Sequence, residues 1–132
     1  MSKKIQGLLI NPYANSVTKI EINKDNGIQE YYDLIGCRTF ECVDFADETL
    51  YCDEEFLLNM NHETRGFVWN GAYSPILGKA VIVGLDEETG DDTDTKISLM
   101  DDIILSIKFI DNKEFVANYL QDDVVRLTFI RN

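Results

Sequence analysis

The run Lys79-Ala80-Val81-Ile82-Val83-Gly84-Leu85 decides the fold class, because β-branched residues fill its centre and turn residues bound it on both sides. It reads as a buried strand. Upstream, residues 5–10 are apolar enough to form a second interior strand, and Asn11-Pro12-Tyr13-Ala14-Asn15 supplies the turn that ends it. Val17, Lys19 and Glu21 then alternate with Thr18, Ile20 and Ile22, which predicts an amino-terminal hairpin closed off by Asp25-Asn26-Gly27.

Ile28, Tyr31, Tyr32 and Ile35 fall at i, i+3, i+4 and i+7, the spacing of one helical face, and Gly36 sits where a helix ends. Residues 38–45 and 49–54 are β-prone runs separated by Ala46-Asp47-Glu48, so an antiparallel hairpin is expected that sets Cys42 opposite Cys52. Residues 56–65 suggest a helical turn, whereas 67–74, with Gly66 just before, mixes Gly71, Trp69 and Tyr73 as a loop does. Downstream, residues 86–95 read as an acidic surface loop. Leu99, Met100, Ile103, Ile104 and Ile107 recur with helical spacing behind a capping Ser98, predicting a second, longer helix. Residues 114–120 have helical character, and 124–130 alternate like a terminal strand. The expected architecture is α+β, a mainly antiparallel sheet covered on one face by two or three helices.

The chain of 132 residues, 45% hydrophobic and 27% charged, describes one globular domain over 1–132. Twelve Lys plus Arg stand against 24 Asp plus Glu, a formal net charge of −12. Direct binding to nucleic acid or to an anionic membrane surface is excluded on that balance, since both require clustered cations. No apolar stretch reaches the roughly 18 residues that span a bilayer. Met1-Ser2-Lys3-Lys4 leads into a strand-like run and not into a signal core, so a cytoplasmic location is expected. Cys37, Cys42 and Cys52 lack paired ligand spacing and are expected to be free thiols.

The same inventory removes most catalytic classes. A single histidine, His62, and three scattered cysteines do not make a transition-metal site. No serine occupies a Gly-x-Ser-x-Gly elbow, and neither a GxxxxGK[ST] nor a GxGxxG loop is present. No enzyme activity and no cofactor are expected. Asp86, Glu87, Glu88, Asp91, Asp92 and Asp94 crowd six carboxylates into one loop, but Gly90 precedes the Asp91-Asp92-Thr93-Asp94 cluster, which is not the EF-hand order. Those six residues are expected to form an acidic interaction patch instead of a metal site. Asn61, His62, Arg65, Trp69, Asn70 and Tyr73 mix amides, a cation and aromatics beside glycines, the composition of a binding loop.

Several stretches taken together resemble a known family. They are Leu8-Leu9-Ile10-Asn11-Pro12, Asp33-Leu34-Ile35-Gly36, Cys52-Asp53-Glu54-Glu55, Asn59-Met60-Asn61 and Ile76-Leu77-Gly78-Lys79-Ala80-Val81-Ile82-Val83-Gly84. In order and spacing they are similar to the small proteins catalogued as domain of unknown function number 3846, over roughly residues 5–106. That family occurs in low-GC Gram-positive bacteria and in their phages, plasmids and conjugative elements. The resemblance therefore implies a mobile-element accessory protein, with no activity assigned. Residues 107–132 lie beyond the similarity, as a carboxy-terminal extension of the same domain.

The expected function is a non-enzymatic acidic accessory protein that binds a host or defence protein with a basic surface, by electrostatic complementarity. The alternative is a small-ligand domain that sequesters a nucleotide-like molecule, with Arg65 on a phosphate and Trp69 or Tyr73 stacked on a base. The oligomeric state is not encoded in any pattern of the chain.

Overall fold

Strand β1 (Lys4–Asn11) pairs antiparallel with β2 (Ser16–Asn23), Ile5 facing Ile22 and Ile10 facing Val17, as the alternation requires. The computed structural model describes residues 4–37, 39–45, 47–54, 63–69 and 75–119. At the hairpin turn the Asn11 carboxamide accepts from the Tyr13 N–H at 3.0 Å, and Asn15 adopts a left-handed φ of 50°. A 3-10 turn, Lys24–Asn26, leads into helix α1 (Ile28–Ile35), which stops at Gly36. There φ is 77°, a conformation that glycine alone adopts without penalty, and the Gly36 N–H closes on the Tyr32 carbonyl. Tyr31 and Ile35 are buried on the sheet, whereas Ile28 at the opposite end of the apolar stripe is exposed.

The second hairpin departs from the expected register by one residue. Strand β3 (Phe40–Phe45) pairs with β4 (Glu48–Asp53) so that Phe45 faces Glu48, Cys42 faces Tyr51 and Glu41 faces Cys52. The turn holds two residues, not three, with Asp47 in the left-handed region at φ 65°. Because side chains alternate, that single step sends Cys42 and Cys52 to opposite faces. All three cysteines are free thiols.

Strand β7 (Ala80–Leu85) joins the two hairpins. It lies between β1 and β4, giving the order β2-β1-β7-β4-β3, and short β8 (Asp92–Thr93) pairs with its far end. Every pairing is antiparallel. Val81 and Val83 face α1 together with Ile22, while Ala80 and Ile82 face the opposite layer together with Leu8, Ile10 and Leu50. All four β7 residues are fully buried, which explains the unbroken apolar run.

That opposite layer is a second sheet and not a set of helices. Strands β5 (Arg65–Val68), β6 (Ile76–Leu77) and β9 (Lys108–Asp111) pair in the order β6-β5-β9, and Phe67, Trp69 and Ile76 pack on the main sheet. The fold is α+β and mainly antiparallel, as expected. The helical cover differs, since α1 takes one face and the small sheet with helix α2 takes the other. Helix α2 (Asp102–Leu105) is one turn long, in place of the longer helix expected from residue 98. Two capping side chains split the stretch: the Ser98 hydroxyl accepts from the Met100 N–H, and the Asp101 carboxylate accepts from the Ile103 N–H. The backbone then extends to pair β9 with β5.

Phe67 and Val68, at the start of the expected loop of 67–74, therefore belong to a strand that begins at Arg65, and the segment beyond residue 106 completes the second sheet before helix α3 (Asn112–Tyr119). Of the expected helical turn in 56–65, residues 56–62 lie outside the described residues while Arg65 opens β5, and the terminal strand expected at 124–130 lies wholly outside them.

Candidate functional site

The loop between β7 and β8 carries the six acidic residues singled out by the sequence, and the structure divides them. Residues 86–91 form a closed turn: the Asp86 N–H donates to the Asp91 carbonyl at 2.9 Å, the Gly90 N–H to the Asp86 carbonyl at 2.7 Å, and the Glu88 N–H to the Asp86 carboxylate at 3.0 Å. Gly90 supplies the left-handed φ of 76°. Glu87, Glu88 and Asp91 remain exposed.

Asp92 points back into the fold, and Asp94, though exposed, is tied to β1. The Asp92 carboxylate accepts from the Tyr31 hydroxyl at 2.5 Å and from the Tyr51 hydroxyl at 2.8 Å, while its backbone carbonyl accepts from Lys24 Nζ at 2.9 Å. The two rings lie 4.4 Å apart and Phe40 packs edge-on to Tyr51, so the carboxylate closes an aromatic cluster between α1 and the sheet. Burial, followed by the hydrogen bond and charge of Asp92, pushes both phenols above their ordinary pKa. Asp94 accepts from the Gln6 N–H at 2.8 Å, and the Thr95 N–H donates to the Gln6 carbonyl at 2.8 Å. Two of the six acids thus anchor the loop.

An acidic residue outside the expected patch takes the place of these two. Asp47, in the β3–β4 turn, stands beside Glu87, and its backbone carbonyl accepts from the Leu85 N–H at 2.8 Å. The hydrogen bond with Asp47, and then its negative charge, raise the Glu87 carboxyl above the ordinary range, with Lys96 opposing the shift. Asp47, Leu85, Asp86, Glu87, Thr93 and Lys96 line an open depression of about 330 Å³. Behind it, Glu48 is buried, with its carboxylate accepting from the Thr95 hydroxyl and from the Lys96 N–H at 3.3 Å. The expected connection Ala46-Asp47-Glu48 includes Glu48, whereas Glu48 opens β4. A buried carboxylate paired with donors two strands away leaves no local signal.

The second expected site, at residues 61–73, is described only in part. Arg65 donates from Nε to the Pro12 carbonyl at 2.9 Å and from Nη2 to Asn15 Oδ1 at 3.1 Å, tying β5 to the first hairpin turn. Trp69 is 4% exposed, with its ring edge-on to Phe45 at 4.5 Å and its indole N–H without a hydrogen-bond partner among the described residues. Asn61, His62, Asn70 and Tyr73 lie outside the described residues. Among the described residues, no group of three or more His, Cys, Asp or Glu is placed to hold a metal ion, and no helix is long and apolar enough to cross a membrane.

The arrangement at the loop end of the sheet does one thing chemically: it brings two carboxyl groups from separate turns together at an open surface, where a cation relieves their repulsion. No curated protein and no solved structure matches the chain. A family model does match, over residues 5–106, which takes in both hairpins, α1, β5, β6, β7 and β8 and ends just after α2. The chain belongs to the family described as Domain of unknown function (DUF3846).

Proposed function

We propose that this chain is a non-enzymatic acidic accessory protein of a phage or mobile element, acting in the cytoplasm, where its anionic surface binds a host or defence protein through a basic one. The observation that carries the reading is the approach of Asp47 and Glu87 from two different turns, with Asp86, Glu88 and Asp91 beside them. Like charges held together at a surface cost free energy, Lys96 offsets that cost in part, and a lysine or arginine of a partner removes the remainder on binding. The net charge of −12 extends the same field over the molecule and accelerates encounter with a cationic surface. The mobile-element setting rests on the family resemblance alone.

The test is capture of a partner from host lysate at low salt, identification by native mass spectrometry, and measurement of its affinity for the wild type and for a triple variant, Glu87→Lys, Glu88→Lys and Asp91→Lys. Asp92 and Asp94 are left intact because they hold the loop in place. The variant should bind a basic partner at least tenfold more weakly, and wild-type affinity should fall steeply with salt. Undiminished affinity in the variant and in half-molar salt would refute the proposal.

A further inference from the structure

Strand β3 is the last strand of the main sheet on its side, paired with β4 and, among the described residues, with nothing else. The Glu54 N–H donates to the Thr39 carbonyl at 3.3 Å, which fixes the phase of the hairpin. In an antiparallel pair, bonded and non-bonded positions alternate, so residues 41, 43 and 45 bond to β4 while Phe40, Cys42 and Asp44 turn their N–H and C=O groups outward. An outward row of backbone donors and acceptors is a template for one more strand.

The side chains along this edge select by charge. Glu41 and Asp44 are exposed on opposite faces of β3, and the strand Phe-Glu-Cys-Val-Asp-Phe carries no cation. Their carboxylates are oriented by their cross-strand partners on β4, Asp44 by the Thr49 hydroxyl at 3.0 Å and Glu41 by the Cys52 thiol at 3.7 Å. A second copy of this chain on the same edge would set four such carboxylates against one another, which disfavours self-pairing. Asp47, at the end of the strand, continues the negative edge into the depression beside Glu87.

We infer that the outer edge of β3 docks an extended basic segment of the partner protein, which adds to the sheet as an antiparallel or parallel strand with lysine or arginine beside Glu41 and Asp44. The inference rests on the anionic-surface reading and gives it a location and a geometry. Backbone pairing supplies affinity for any extended chain, and the two carboxylates restrict it to cationic ones.

The test uses the full chain and a short capped peptide repeating lysine-valine-valine, whose lysines fall on alternating faces as Glu41 and Asp44 do, with two controls: the same peptide N-methylated at every residue, and its glutamate–valine counterpart. Amide hydrogen exchange is followed by NMR. In the protein alone the amides of Phe40, Cys42 and Asp44 should exchange rapidly while those of residues 41, 43 and 45 are protected. The lysine–valine peptide should slow exchange at the three outward amides by at least tenfold. The N-methylated and glutamate peptides should not, and Glu41→Lys with Asp44→Lys should weaken binding of the first peptide at least tenfold. Equal binding of the N-methylated peptide would overturn the edge and leave a purely electrostatic surface standing. Outward amides already protected in the protein alone would overturn it in favour of a copy or a segment of this chain on β3. No slowing by any peptide would also overturn the edge, with the salt-dependent capture left to judge the anionic surface separately.

Discussion

Replacing Asp92 by alanine should destabilise the fold severely, whereas the same change at its neighbour Asp91 should not. The Asp92 carboxylate accepts hydrogen bonds from two phenols, Tyr31 at 2.5 Å and Tyr51 at 2.8 Å, and Tyr31 is only 5% exposed. A hydrogen bond to a charged acceptor contributes about 1.5–3 kcal/mol, and a buried hydroxyl left without an acceptor adds a cost of about 1 kcal/mol or more. Tyr51 is half-buried and water reaches part of the site, so the lower end applies and the expected loss is about 3 kcal/mol. For a chain of this size that is a fall in Tm of about 10 °C. Asp91 is exposed, and removing one negative charge from a chain of net −12 relieves repulsion, so Asp91→Ala should lie within about 0.5 kcal/mol of wild type. Urea unfolding at pH 7, followed by circular dichroism, measures both. Adding Tyr31→Phe to each variant completes a double-mutant cycle, in which Asp92 and Tyr31 should couple by about 1–2 kcal/mol. Equal losses for Asp92→Ala and Asp91→Ala, or zero coupling to Tyr31, would refute the anchoring role and return Asp92 to the surface patch.

The raised phenols of Tyr31 and Tyr51 make stability fall in alkali: the unfolded chain loses both protons near pH 10 while the folded chain keeps them, so the stabilisation is complete below that pH and declines above it. Two such groups give a slope of up to about 2.7 kcal/mol per pH unit, and the difference between wild type and the Tyr31→Phe, Tyr51→Phe double variant in urea titrations at pH 9 to 11 should reveal it. Iodoacetamide should modify exposed Cys42 well before Cys37, whose thiol burial and Asp53 push up to about 11, or Cys52, pushed up to about 12 mainly by burial. Peptide mapping that found Cys52 as reactive as Cys42 would contradict the hairpin register. Gly84→Ala should cost about 2–3 kcal/mol, since a Cβ there meets the Asp94 carbonyl oxygen and the Thr93 hydroxyl, and calorimetry showing an unchanged Tm would argue against the β7–β8 pairing.

The elements legible in the sequence are those whose partners are near in the chain or whose burial is uniform. The first hairpin, α1 with Gly36, and β7 all carry their signal within a dozen residues. The misreadings share a cause. Glu48 belongs to a strand because Thr95 and Lys96 satisfy its carboxylate, and neither is visible from a window around residue 48. Strands β5 and β9 are four residues each and pair across some forty residues of sequence, so Ile103, Ile104 and Ile107 lend a helical period to what is a turn of helix followed by a strand. Within the site, composition located the acidic loop but could not distinguish Asp92 from Asp91. The available cue was that Tyr31, on the apolar face of α1 by pattern, needs an acceptor for its hydroxyl.

The central position of β7 has a consequence for the order in which the molecule comes into being. Both hairpins of the main sheet are complete by residue 53, yet among the described residues their strands are joined in one sheet only by β7, which begins at residue 80. During synthesis the two hairpins therefore lack a shared sheet, and their apolar faces stay open to water, until β7 emerges and joins them in one step. A chain truncated before residue 80 would hold the hairpin contacts and lack the strand at the centre of the core, and it should be recovered as an aggregate or a protease substrate, not as a smaller domain.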